Sequence, residues 1–239
     1  MQTTTFKTEK TISNLLIIGA VLLFVPYTIL TMTFDYPDIL REETGTILTR
    51  FKVGGDSLIW TWFAFALVGL PLVGAYVLIG QKLEDKVSHV RWATTLGIIG
   101  LVVQMVGLLR WTFVVPVLAN AYATSDEMTK TASVIAFQTI HQYGGVVLGE
   151  HLGQLFTILW TLMITAAFQK LRLLPTWLIW WGYIASGIYF LAQGELLATV
   201  MPSFPVLDIA GFLGSTLWLI WLILLGVKFR KLELEAPSN

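Results

Sequence analysis

The chain has 239 residues, of which 56% are hydrophobic and 13% charged, and its 15 basic residues are balanced by 15 acidic residues. A soluble domain of this size cannot bury so much apolar surface, and a neutral chain gives no indication of a nucleic-acid partner. The absence of cysteine excludes disulfides, thiolate catalysis and cysteine-ligated zinc or iron–sulfur clusters.

Six apolar runs approach the length of about 20 residues that a helix needs to cross a bilayer. Because lipid offers no partners to exposed backbone groups, continuous runs of this kind predict helices. We therefore expect an all-α, polytopic membrane protein that forms a single transmembrane helical domain over residues 1–239. The predicted spans lie near residues 12–34, 58–80, 92–118, 145–168, 176–198 and 209–228.

The basic residues between these spans predict the orientation. With the N-terminus in the cytoplasm, most of them fall on the inner side, at Lys7, Lys10, Lys82, Lys86, Arg91, Lys170, Arg172, Lys228, Arg230 and Lys231. The outer side then holds Arg41, Arg50, Lys52 and Lys130. The positive-inside rule thus predicts that both termini are cytoplasmic, and we expect a multi-pass protein of the cell membrane, in a bacterium the inner membrane.

Two outer connections have helical patterns of their own. In residues 35–57, Pro37 precedes apolar residues that recur on one helical side, which is typical of an amphipathic lid; a solvated loop is the alternative. Residues 126–143 are also helical in pattern, and Gly144 and Gly145 are interpreted as the bend into the fourth span. This places His141 at the outer interface and outside the core.

Ionisable residues inside the predicted spans are Arg110, Glu150, His151 and Glu195. A charge at membrane depth costs about 2.5–3.5 kcal/mol on insertion scales, so such residues usually pair or line a wet cavity. Counting residues from the span ends places Arg110, Glu150 and Glu195 in the outer half of the bundle.

Glycines accompany these charges at helical spacing. Gly100 and Gly107 share a face of the third span with Gln104 and Trp111, and the fourth span has Gly145, Gly149 and Gly153 at intervals of four. Small residues at this spacing let helix backbones come close. We therefore expect the third and fourth spans to bring Arg110 to Glu150 as an ion pair.

Two interpretations of the polar residues remain open. Arg110 and Glu150 form a clasp that fixes helix register, or a larger set lines a pocket that opens to the outside and binds a small molecule. The predicted ligand-binding set is Arg110, Glu150, His151, Gln154, Glu195, Gln104, Trp111 and Tyr143, with Gln193 as a further member.

Metal and haem sites find little support in the sequence. His141 and His151 are ten positions apart, about 15 Å along a continuous helix, which is too far to share one ion or one haem. A haem held by one His, or a metal held by Glu and His, stays open, and no metal site is predicted.

Three stretches, "FDYPDILR", "GLLRWTFVVPVLA" and "HQYGGVVLGEHLG", together resemble an uncharacterised family of bacterial integral membrane proteins that is known as a domain of unknown function. The resemblance covers most of the chain. It implies a membrane protein with six helices and transfers no activity, substrate or catalytic residue.

Three functions remain as hypotheses. The first is a membrane protein that binds a small molecule from the outer side, in a sensing, accessory or transport role. The second is an intramembrane enzyme with Glu150 or His151 as general base and Arg110 as the anion-binding group. The third is a structural or assembly subunit in which the polar residues only join helices.

Overall fold

The computed structural model describes residues 2–234 of the chain, and the side chains of residues 8–231. This part of the protein is helical and contains no strand. The α-helices are α1 (Gln2–Phe34), α2 (Thr44–Leu67), α3 (Leu70–Leu83), α4 (Val90–Phe113), α5 (Val115–Thr124), α6 (Glu127–Ile140), α7 (Gly153–Lys170), α8 (Thr176–Leu191), α9 (Gln193–Ala198) and α10 (Ala210–Leu234). A 3₁₀ turn (Asp38–Arg41) precedes α2, and a π-helix (His141–Leu152) joins α6 to α7.

Among the described residues, five helical segments are long and apolar enough to cross a membrane: Thr8–Phe34, Thr44–Leu83, Val90–Thr124, Glu127–Lys170 and Ala210–Lys231. The prediction of an all-α, multi-pass membrane protein is therefore confirmed. The predicted span 176–198 differs, because α8 ends at Leu191 after 16 residues and the short α9 follows. Sixteen residues rise about 24 Å, less than the roughly 30 Å of a hydrocarbon core, so the sixth crossing stays a prediction.

The predicted outer connections are helical rather than open loops. α2 begins at Thr44, well before the predicted span, and Gly55 interrupts it with a φ of 56° and a ψ of −150°. A positive φ of this kind suits glycine, which has no Cβ to clash with the backbone. The second connection is α6, as predicted, and it continues through the π-helix into α7.

The helices form two compact units that alternate along the chain. Unit 1 contains residues Met1–Val21, Gly69–Leu101 and Gly153–Asn239, and unit 2 contains Leu22–Val68 and Val102–Leu152. The single domain over residues 1–239 stays a prediction. The two chain ends and the Lys7 side chain, which entered the prediction of orientation, lie outside the described residues.

Unit 1 is held together by tryptophans that reach between helices. Trp221 Nε1 of α10 donates to Leu178 O of α8 at 3.1 Å, and Trp218 Nε1 donates to Thr161 Oγ1 of α7 at 3.0 Å. Near the chain ends, Arg230 Nη2 of α10 donates to Asn14 Oδ1 of α1 at 3.2 Å. The beginning of α1 and the end of α10 therefore lie together at one end of the unit.

Unit 2 has an aromatic core. Trp111 stacks on Trp62 with ring centroids 4.8 Å apart and on Phe51 at 5.7 Å, and Phe34 meets its edge at 5.6 Å. The apolar side of residues 37–51 enters this core, where Ile39, Leu40, Ile47, Leu48 and Phe51 are all buried. The predicted amphipathic pattern is confirmed, and the solvated-loop alternative is wrong because these side chains fill the core.

The predicted glycine contact between the third and fourth spans is confirmed within unit 2. A Cβ placed on Gly107 of α4 would lie 2.6 Å from Gly149 Cα and 2.8 Å from Gly144 O, both in the π-helix. These are backbone atoms, which cannot turn aside as a flexible side chain can. The contact therefore requires glycine at position 107.

We predict that Gly107→Ala destabilises the protein by about 1–3 kcal/mol, the usual cost of an added group in a close-packed interior. Gly187→Ala is the matched control, since a Cβ there meets nothing within 4 Å and alanine is the better helix former. Thermal unfolding in detergent measures both variants. Equal stability of the two variants would contradict the close contact.

Candidate functional site

The candidate site lies in unit 2, where α4 faces the π-helix. A Cβ on Gly145 would lie 2.5 Å from Nη2 and 2.7 Å from Cζ of Arg110, so the guanidinium group rests directly on the π-helix backbone. Longer side chains at this position would push Arg110 away. The glycines of "HQYGGVVLGEHL" thus make the space in which the charged group of α4 is held.

Arg110 is buried, with 7% of its surface exposed. Its Nη1 donates to the Gly107 carbonyl one turn earlier in α4, and its Cζ lies 5.2 Å from the centre of the Trp111 ring. A cation at this distance from an aromatic face is attracted by the ring quadrupole. The Nε donor, however, is buried and has no hydrogen-bond partner. One direction of hydrogen bonding from this guanidinium group is therefore unused.

Glu150 of the π-helix forms its salt bridge with Arg41. Arg41 Nη2 lies 2.6 Å from Glu150 Oε2, and the two side chains are only 29% and 20% exposed. Oε1 of the same carboxylate is buried without a partner. The predicted ion pair of Glu150 with Arg110 is therefore wrong, because the 3₁₀ turn brings a different guanidinium group to the carboxylate.

Sequence reasoning missed Arg41, although a signal was present. Arg41 directly follows Ile39 and Leu40, which are buried at the edge of the aromatic core. A turn that buries two consecutive apolar residues also draws the next residue inward. The amphipathic pattern of residues 37–51 therefore contained the position of this cation, but not the identity of its partner.

His141 is the second residue that the sequence misplaced. Its ring stacks on Phe137 with centroids 5.1 Å apart, and only 9% of the residue is exposed. The expectation that His141 lies outside the core is wrong because Phe137 and the Leu40 carbonyl hold the ring inside. Its position at the outer interface stays a prediction. Nε2 lies 3.1 Å from Leu40 O, an atom that can only accept, so Nε2 carries the proton. In the neutral ring, Nδ1 is then an acceptor, and it is buried without a partner.

We call Arg41, Arg110, His141 and Glu150 the polar cluster. The charges of Arg41 and Arg110 act on His141, and those of Glu150 and Arg41 act on Arg110, so the four groups share one electrostatic environment. Two guanidinium groups and one carboxylate leave the cluster with a surplus positive charge when His141 is neutral. Its partnerless atoms are one donor, Arg110 Nε, and two acceptors, His141 Nδ1 and Glu150 Oε1.

The remaining predicted site residues are divided between the two units. In unit 2, Trp111 is fully buried, Gln104 and His151 are half-buried with interaction partners, and Tyr143 is 62% exposed. In unit 1, Gln193 Nε2 donates to Gln154 Oε1 at 2.8 Å, and Glu195 is half-buried in α9. The structure thus brings Arg110, Trp111 and Glu150 together, and separately joins Gln154 to Gln193.

Two cavities open at other places. A wide, shallow cavity of about 340 Å³ in unit 2 is lined by Glu43, Gly45, Thr46, Thr49, Arg50 and Tyr122. A second, of about 170 Å³, lies in unit 1 between Glu9, Lys82 and the end of α10. Neither includes a residue of the polar cluster. Within the described part of the chain, no three His, Asp or Glu side chains are grouped as metal ligands.

We predict that Arg41 and Glu150 are energetically coupled. Arg41→Gln leaves a partly buried carboxylate without its cation, so it should cost more stability alone than in combination with Glu150→Gln. Contacting residues usually show coupling energies of about 0.5–3 kcal/mol. Thermal unfolding of the two single variants and the double variant completes the cycle. The pair Arg50→Gln and Glu150→Gln is the control, since Arg50 bonds Asp35 instead, and additive losses in the Arg41 cycle would refute the coupling.

Comparison with known proteins places the chain in a family without assigning it an activity. No curated protein and no solved structure matches it. A family model described as "Domain of unknown function (DUF4386)" matches residues 12–226, which include all four residues of the polar cluster. The resemblance that the sequence indicated is thereby confirmed as to family, and the chain belongs to the DUF4386 family.

Proposed function

We propose that this protein is a membrane protein that binds a small polar molecule with an anionic group at the polar cluster, in a sensing, accessory or transport role. The orientation expected from the basic residues places this site toward the outer side of the membrane. The observation that carries the proposal is the set of three buried, partnerless atoms: Arg110 Nε, His141 Nδ1 and Glu150 Oε1.

Leaving such atoms unpaired is unfavourable. A buried donor or acceptor without a partner costs about 1–3 kcal/mol, and more when the group is charged. In this cluster all three belong to charged or titratable side chains that share one electrostatic environment. A ligand that supplies the missing hydrogen-bond partners would recover this free energy on binding, and this gain would contribute to its affinity.

The same three atoms indicate which functional groups the ligand should carry. Arg110 Nε offers an N–H and a positive charge, which favour a carboxylate or another anion. His141 Nδ1 and Glu150 Oε1 only accept in the states described, so they favour a hydroxyl or amine hydrogen. A small molecule that joins an acid to a hydroxyl or amino group, such as a hydroxy acid or an amino acid, satisfies both requirements.

Access is expected along the Arg41–Glu150 salt bridge. Both side chains keep part of their surface exposed, whereas Arg110 and His141 are almost fully covered. The rings of Trp111 and Phe137, which contact Arg110 and His141, keep water away from these two side chains. Electrostatic interactions are stronger where water is excluded. A ligand would thus displace or share the Arg41 contact in order to reach Arg110.

A structural clasp is the second candidate function, and the 2.6 Å salt bridge between Arg41 and Glu150 favours it. A clasp needs one satisfied ion pair between the 3₁₀ turn and the π-helix. A clasp does not explain why three buried polar atoms of the cluster have no partner, and we therefore prefer the binding site.

We predict that small hydroxy or amino acids raise the unfolding temperature of the detergent-purified protein in a dose-dependent way. A ligand at 100 times its dissociation constant stabilises the folded state by about 2.7 kcal/mol. His141→Phe keeps a ring that can stack on Phe137 but removes Nδ1, and it should weaken the response. Arg110→Gln should abolish it.

Arg50→Gln is the control, because Arg50 is a guanidinium group of the same unit that bonds Asp35 outside the cluster. Equal responses of all three variants and the unchanged protein would contradict binding at the cluster. So would the absence of any stabilising compound combined with no small molecule released from the protein on denaturation, as measured by mass spectrometry.

A further inference from the structure

The cavity in unit 1 gathers several chain segments at one end of that unit. It is bounded by the beginning of α1, the end of α3, the end of α7 with the turn that follows, and the end of α10. Its apolar walls are Leu83, Phe168, Leu173, Leu174 and Phe229, and its volume is about 170 Å³. The sequence predicts that every one of these segments lies on the cytoplasmic side. With this predicted orientation, we expect the cavity to lie at the inner end of unit 1.

Three charged residues also line the cavity, and they differ in their pairing. Lys82 Nζ lies 2.6 Å from Glu9 Oε1, and both side chains are mostly buried, so these two charges offset each other. Lys86 is exposed and has no ion pair within the described residues. The cavity consequently presents an apolar interior with one uncompensated cation at its edge.

More positive charge lies beside the cavity. Lys170 ends α7 and Arg172 directly precedes Leu173, so both exposed cations are close in sequence to two of the apolar wall residues, Leu173 and Leu174. Neither side chain has a salt bridge among the described residues. Cations of this kind next to a membrane surface are attracted to anionic lipids, and each Lys or Arg raises the affinity about fivefold.

Exposed tryptophans indicate the membrane level of this cavity. Trp177 and Trp180 stand in the first turns of α8, directly after the turn with Leu174, and are 55% and 59% exposed. Trp92, in the first turn of α4, is 70% exposed. Tryptophan is enriched where lipid headgroups meet the acyl chains. We therefore expect a phosphate and the first part of an acyl chain to be within reach of the cavity.

We propose that this cavity binds an anionic phospholipid of the inner leaflet. Its phosphate lies against Lys86, with Lys170 and Arg172 nearby, and the beginning of one acyl chain packs on Phe168, Leu173 and Leu174. The Glu9–Lys82 ion pair forms a neutral wall, which removes the carboxylate repulsion that an anion would otherwise meet. This site lies in unit 1, and it does not depend on ligand binding at the polar cluster in unit 2.

The test measures the affinity of the detergent-purified full chain for phosphatidylglycerol, phosphatidylcholine and inorganic phosphate, by native mass spectrometry and by thermal stabilisation. Phosphatidylglycerol should bind most tightly. Lys86→Gln should weaken it about fivefold, as expected for one cation near the surface. Leu174→Glu, which places a carboxylate on the apolar wall, should weaken it further.

Lys130→Gln is the matched control, because it removes one half-buried lysine from unit 2, where Lys130 pairs with Glu127, and it should leave the affinity unchanged. Equal weakening by Lys86→Gln and Lys130→Gln would overturn the site. Phosphatidylcholine binding as tightly as phosphatidylglycerol would overturn its preference for anionic lipid. Stabilisation by inorganic phosphate equal to that by phosphatidylglycerol would replace the lipid site with a simple anion site.

Discussion

The close contact between Gly107 of α4 and Gly149 of the π-helix is the constraint on which the site in unit 2 depends. Because neither residue has a side chain, the two backbones come near enough for Arg110 to rest against Gly145. A larger residue at any of these positions would separate the helices and expose the guanidinium group. The burial of the Arg110 charge is thus made possible by three glycines.

A second packing event completes the polar cluster. Residues 37–51 pack their apolar side into the aromatic core, and the 3₁₀ turn at the beginning of this segment packs there too, through Ile39 and Leu40. This packing places Arg41 against Glu150 and the Leu40 carbonyl against His141. The consecutive residues Leu40 and Arg41 therefore supply the partners of His141 and Glu150. His141 Nδ1 and Glu150 Oε1 are left without a partner.

Much of this fold could be predicted from the sequence, because apolar runs and glycine intervals are local patterns. Five of the six predicted spans, the helical pattern over residues 126–143 and the approach of Gly107 to the π-helix follow from them. Arg41 and His141 were missed because their partners are 109 and 101 residues away, and no local pattern specifies a contact at that separation. The π-helix was missed as well, since a shift of hydrogen bonds to the i+5 position leaves the same apolar pattern as an α-helix.

We propose that Arg110 Nε, His141 Nδ1 and Glu150 Oε1, which are buried and partnerless, bind one small molecule. A high-resolution cryo-EM or crystallographic map of the purified protein tests it most directly. We expect non-protein density, from a ligand or from ordered water in its place, within hydrogen-bonding distance of these three atoms. A map in which they bond to protein groups, with no space between them, would contradict the binding function and leave the salt bridge of Arg41 and Glu150 as a structural clasp.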